Sequence, residues 1–238
     1  MGLKIVDKYQ DFWAHFCRIV RGHTVVPSHN AQLTFKQIGS TLSLSSPIAL
    51  ISWPCKKDPS GTIDIIVYYE MTVAQITKKV QRIASSKACV FYFHGGVDSS
   101  PSAQILRFEY EPAIGMDDGD LLFHVQLGGK TVINRKNLPE PLQSRWPYRD
   151  QPKSAITSYV HIPTPRMLLP DLMCFIVADY LRDRVHDLVK NARTTLSDLT
   201  GLVCDESYAG LEFWNQIPVS NWYRRALTPG AQAIHERR

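Results

Sequence analysis

No apolar run in this chain is long enough to cross a bilayer. The densest stretch, Leu168 to Leu181, is interrupted by Pro170, Asp171 and Asp179, whereas a spanning helix needs about 20 mostly apolar residues. The first residues lack an uninterrupted apolar core, because Asp7 and Lys8 follow Met1 to Val6, so no secretory leader is expected. Val6 stands where a myristoylation signal beginning Met1-Gly2 needs Ser or Thr. Paired cysteines are missing as well. Cys17, Cys55, Cys89, Cys174 and Cys204 are odd in number and scattered, with no C-x-x-C pair. Such a set fits free thiols in a reducing compartment better than a disulfide framework or a zinc knuckle, and makes a cytoplasmic location, with no membrane contact, the expectation.

The familiar catalytic and cofactor signatures are absent too: H-E-x-x-H, the EF-hand loop, the dinucleotide fingerprint and the G-x-S-x-G elbow. Gly128-Gly129-Lys130-Thr131 ends as a phosphate-binding loop does. The first glycine of that pattern would fall on His124, however, and Val132 to Pro139 is no helix whose N-terminus could hold a phosphate. His94-Gly95-Gly96 has the form of an esterase oxyanion loop, but no nucleophile elbow accompanies it. Neither a metal nor a cofactor is expected.

What the chain does contain is enough apolar residue to build a core. Of its 238 residues 44% are hydrophobic and 21% charged, the balance of a soluble globular protein, and a single domain over 1–238 is expected. The net charge of +5 permits nucleic acid as a partner without demanding it.

Ile5, Tyr9, Phe12, Phe16, Ile19 and Val20 recur at helical spacing and predict a helix over 3–20. Strands follow: Leu33 and Phe35 alternate with Thr34 and Lys36, Gly39-Ser40 suits a two-residue hairpin turn, and Pro47 to Trp53 is an apolar run. Ile63 to Glu70 reads as a further strand. Thr72-Val73-Ala74-Gln75 has the form of a capping box, and Val73, Ile76, Val80 and Ile83 then predict a helix over 72–85. Cys89 to His94 is again extended. Residues 134–170 hold seven of the fifteen prolines, which excludes a mostly helical segment and predicts a proline-rich basic arm with one strand at Ile156–Ile162. Pro170 suits the first turn of a helix over 170–190, and a shorter helix is expected from Glu206 to Asn215 behind Asp205. The fold class is therefore α+β: a predominantly antiparallel sheet over about 31–133 packed against helices, then the arm at 134–170 and a helical C-terminal part at 171–238.

Two stretches carry the functional signal. Residues 104–111 and 121–127 each alternate with period two. If they pair, Leu106, Phe108 and Tyr110 share an apolar face with Phe123, Val125 and Leu127, while Arg107, Glu109 and Glu111 share the other with His124 and Gln126. Extending the alternation predicts that Tyr92, His94, Tyr159 and His161 point the same way. A nuclease-like enzyme acting on a phosphate-containing substrate would use His94, His124 and Glu109 as its acid–base or metal-holding core, with Arg107 stabilising an anion. An ordinary solvated sheet face carries the same residue types.

The second signal is localised basicity. The arm has six Lys/Arg against two Asp/Glu, and the tail 218–238 has four against one. Arg145, Trp146 and Arg149 in the arm, and Arg224 and Arg225 beside Trp222 in the tail, interleave cations with rings as a nucleic-acid contact would. Rings of this kind also serve as buried anchors. The reading these features favour is a non-enzymatic binding or accessory protein contacting nucleic acid or a protein partner.

Overall fold

The computed structural model describes residues 4–28, 31–56, 61–75, 81–100, 102–110, 123–128, 133–147, 152–154, 161–163 and 168–201. Helix α1 (Lys4–Ile19) opens the chain, followed by strands β1 (Thr24–Val26), β2 (Phe35–Ile38), β3 (Thr41–Leu44), β4 (Ile48–Pro54), β5 (Thr62–Gln75) and β6 (Gln81–His94). Strands β7 (Ser102–Tyr110) and β8 (Phe123–Leu127) come next, then a short 3-10 turn at Arg135–Asn137 and helix α2 (Glu140–Gln143). Strands β9 (Lys153–Ser154) and β10 (His161–Pro163) precede helices α3 (Leu169–Tyr180) and α4 (Arg182–Gly201).

The strands form one sheet with the order β1-β4-β5-β6-β7-β8-β10, and β2-β3 is attached to the far half of β5. Every pairing is antiparallel except β7 with β9. The α+β architecture with a mostly antiparallel sheet is thus present. No helix among the described residues is long and apolar enough to cross a membrane.

The expected helix over 72–85 is not formed. Thr72 to Gln75 continues β5, and Gln81 to Ser85 begins β6, in register Thr72↔Ser85, Val73↔Ile83 and Gln75↔Gln81. The physical reason lies in the residues that suggested the helix. Thr72, Val73 and Ile83 are β-branched, which stiffens χ1 and favours an extended chain once a partner strand is available. Ile83 is 2% exposed in the core, a burial that pairing supplies and a local turn would not. The helix expected over 170–190 is instead two helices, broken at Leu181, whose φ of −130° and ψ of 56° are not helical. Pro170 does occupy the first turn of α3, where Asp171 accepts the backbone N–H of Leu168 at 3.1 Å. The Glu206–Asn215 helix lies outside the described residues, as do residues 156–160 of the expected Ile156–Ile162 strand.

One face of the sheet is sealed by helices. Ile63, Ile65, Val67, Tyr69 and Met71 of β5, with Ala88, Val90 and Tyr92 of β6 and Phe108 and Val125, pack on Ile5, Tyr9, Phe12 and Phe16 of α1 and on α3 and α4. The burial of Phe108 and Val125, on paired neighbouring strands, follows the alternation in their sequences. Aromatic contacts fasten the layer. Phe16 stacks on Trp53 at 6.3 Å, Phe108 meets Phe175 edge-on at 6.4 Å, and the Tyr9 and Tyr69 hydroxyls share a 2.8 Å hydrogen bond. Helices α1 and α4 meet at their surfaces through Arg18, which contacts His15 Nδ1 at 2.7 Å and donates to Asn191 Oδ1 at 3.3 Å.

Two measurements follow from this packing. Cys17, Cys55, Cys89 and Cys174 are free and buried, and burial alone pushes the Cys17 thiol up to about 12; all four should resist alkylation until the chain is unfolded. Partial burial, with Arg18 acting in the same direction and Asp11 opposing, holds the His15 imidazole below its ordinary 6.5. The unfolded chain therefore takes up that proton first. The contribution of His15 is whole above pH 6.5 and is lost as pH falls below it toward the folded value. Chemical denaturation across this range should show that slope in the native protein and a flatter one in His15→Gln.

Candidate functional site

The second face of the sheet is divided. Cross-strand partners share a face, so the register assigns its members: Asp64, Ile66, Tyr68 and Glu70 on β5, Lys87, Cys89, Phe91 and Phe93 on β6, Ile105, Arg107 and Glu109 on β7, and His124 and Gln126 on β8. At one end the residues are apolar. Ile66, Phe91, Phe93, Ala103 and Ile105 form a second core beneath Ile133, Leu138, Leu142 and Trp146. The remaining rows are polar.

Asp64 holds the covering segment down. It is 1% exposed; its carboxylate accepts the backbone N–H groups of Ser52 at 2.8 Å and Val97 at 2.9 Å, and lies 3.0 Å from Arg145 Nη2. The same nitrogen is 2.8 Å from Asp98 Oδ1. The hydrogen bond from Arg145 lowers the Asp98 pKa, and Asp98 in turn raises that of Arg145. Gly96 makes room for the cluster: at φ +99°, a Cβ there would lie 2.7 Å from Arg145 Nη2. Trp146, next in the chain, is 6% exposed and meets Phe93 edge-on at 5.7 Å. Of the residues predicted to touch nucleic acid, Arg145 is paired with Asp64 and Asp98 with 29% of its side chain exposed, and Trp146 is buried. Arg149, Arg224 and Arg225 lie outside the described residues.

The polar rows gather part of the expected constellation. Tyr68, Cys89, Arg107, Gln126 and His161 follow one another in register across β5, β6, β7, β8 and β10. The adjacent row runs through Lys36, Ser43, Glu70, Lys87, Glu109 and His124. Within them Arg107 Nε lies 2.8 Å from Glu109 Oε1, Arg107 Nη2 donates to Gln126 Oε1, and Ser43 donates to Glu70 at 3.2 Å. Tyr68 closes the row, with its hydroxyl pKa raised chiefly by burial and further by Cys89.

His94 is not part of this group. It pairs with Ile63 and therefore belongs to the helix-covered side, as does Tyr92, which is buried against Tyr180. The expectation that both join the polar face is overturned by parity: Cys89, Phe91 and Phe93 share the face of Arg107, not that of Phe108. Among the described residues no group of His, Cys, Asp and Glu is arranged to hold a metal. The Asp64–Arg145 clamp went unread in the sequence, since its members are 81 positions apart with no local pattern. Against known protein families, curated proteins and solved structures, the chain finds no match.

Asp64→Ala would remove the acceptor of the Ser52 and Val97 amides and one of the two carboxylates beside Arg145, and should cost about 2 kcal/mol in equilibrium unfolding. Gly96→Ala combines a positive φ with a clash and should cost more than about 1 kcal/mol. A denaturation midpoint unchanged in either variant would show that the clamp is not what fastens the segment.

Proposed function

We propose that this chain is a non-enzymatic binding protein that presents the polar rows of its sheet to a protein partner. One observation supports this most directly. The helices seal one face, residues 133–147 cover the apolar end of the other, and the polar rows left beside them expose Lys36, Glu70 and Lys87. The charges in that row alternate in sign, from Lys36 through Glu70 and Lys87 to Glu109. A mixed pattern complements another protein surface, whereas a polyanion is matched by a surface of one sign. Enzymatic chemistry by the His94–His124–Glu109 set has no support in this arrangement, because His94 occupies the opposite face. A nucleic-acid contact would rest on Arg149, Arg224 and Arg225, with Arg145 already engaged by Asp64 and Asp98 and Trp146 buried.

The register of Glu70 opposite Lys87 provides the test. Glu70→Lys and Lys87→Glu each place like charges side by side, and the double exchange restores opposite signs while reversing the surface. Capture of a partner should be lost in both single variants and remain lost in the double, whose thermal midpoint returns to that of the native protein. Capture restored by the double exchange would mean that only the internal pairing matters. Oligonucleotide binding that falls steeply with salt and disappears in Arg149→Ala/Arg224→Ala/Arg225→Ala would transfer the function to the basic segments.

A further inference from the structure

We infer that the partner met by the polar rows is a second copy of this chain, docked face to face about a two-fold axis that runs parallel to the strands between β5 and β6. The inference rests on the polar rows being the binding surface and names what covers them. An interface between identical copies must complement itself, a condition that contact with a different protein does not impose. The central row meets it. From β2 through β3, β5 and β6 to β7 it reads Lys36, Ser43, Glu70, Lys87 and Glu109 in register, and Lys36, Glu70 and Lys87 are exposed. Half a turn about that axis inverts the face and reverses the order of the row. Glu70 then stands over Lys87 of the second copy, and Lys87 over its Glu70.

The flanking positions accept the same operation. Tyr68 pairs with Cys89 on one side of the charged pair and Thr72 with Ser85 on the other, so the rotation sets Tyr68 over Cys89 and Thr72 over Ser85, all uncharged. Ser43 comes over Glu109, again with no like charges meeting. Other axes fail on sign or access. A two-fold along the row, or one lying over β5 or β6, sets carboxylate on carboxylate or ammonium on ammonium. One between β6 and β7 would draw on Glu109, whose side chain is only 12% exposed and lies beside Arg107. Stacked sheets lie about 10 Å apart, a gap that glutamate and lysine side chains reaching from opposite sides can close. Register already places Glu70 next to Lys87 within each copy, so the four charges would alternate around a square. Such a network gains more than an isolated exposed pair, yet it remains polar and is screened by salt. The expected assembly is a weak, salt-sensitive dimer.

The experiment follows the intact chain by sedimentation equilibrium over a concentration series at low and high salt, with native mass spectrometry to count mixed species. The native chain should self-associate at low salt and dissociate as salt rises. Glu70→Lys and Lys87→Glu should each self-associate at least about tenfold more weakly, because like charges then face each other twice. Mixed one to one, the two variants should pair with each other as the native chain does. Each contact across the interface again joins opposite signs, although the pairing inside each variant stays broken. The double exchange Glu70→Lys/Lys87→Glu keeps opposite signs within the chain and serves should a single variant fail to fold. It should self-associate like the native chain but mix with it at least about tenfold more weakly. A native chain that stays monomeric at low salt, single variants that fail to pair when mixed, or a double exchange that mixes freely with the native chain would each overturn the inference. Should the native chain stay monomeric while the Glu70 and Lys87 exchanges still abolish capture of a different protein, the polar rows stand as the binding surface and only the identity of the partner falls.

Discussion

A single buried carboxylate coordinates three parts of the chain that are otherwise far apart. Asp64 receives the amide of Ser52, whose positive φ of 55° marks the irregularity in β4, and the amide of Val97 in the turn after β6. It also receives the guanidinium of Arg145. The buried carboxylate would be costly unpaired, and these three groups satisfy it. The left-handed residue at Ser52 becomes intelligible on this basis, since its amide is turned toward the Asp64 carboxylate. With Arg145 fixed, Trp146 is delivered onto Phe93, and the apolar end of the second face is closed.

That closure by residues 133–147 covers only the apolar end of the second face. A sheet buried on both sides throughout would offer only its edges. Here the covering segment stops short, and the boundary falls where β6 changes from Phe91 and Phe93 to Cys89 and Lys87. On the open side the charged groups are partly paired with each other, which keeps the surface hydrated and limits indiscriminate association. Specificity would then come from the pattern of the rows, with Lys36 at the outer strand also discouraging extension of the sheet by another chain.

Much of this architecture is legible in the residues. The pairing of β7 with β8 and the division of Arg107, Glu109 and Gln126 from Phe108 and Val125 follow from strict alternation, because each of these strands has one polar and one apolar side. The Gly39-Ser40 hairpin and the opening helix were equally readable. Alternation fails where both sides are buried. From Ala88 to Phe93 every residue is apolar or aromatic, so no period distinguishes the faces, and the parity of Tyr92 and His94 could be learned only from the register. The misread helix over 72–85 has a different origin, since spacings of three and four among β-branched residues satisfy the helical template while their stiffness favours the strand. Arg145 and Trp146 show the limit of composition. A cation beside a ring is the same dipeptide whether it faces a nucleotide or an aspartate on the far side of the chain.

The helical layer places an unequal demand on the two ends of the polypeptide. Strands β4 to β8 are joined to their sequence neighbours, so each needs only the chain just made before it can pair. Helix α1 differs, because its contact with α4 links Arg18 to Asn191 across 173 positions. During synthesis the apolar stripe of α1 can settle on the emerging sheet, but its flank toward α4 stays bare until almost the whole of the described chain has left the ribosome. Among the described residues the layer is thus completed by the last helix reaching back to the first, and a ribosome that halts before Arg182 releases a sheet without the α4 part of its cover.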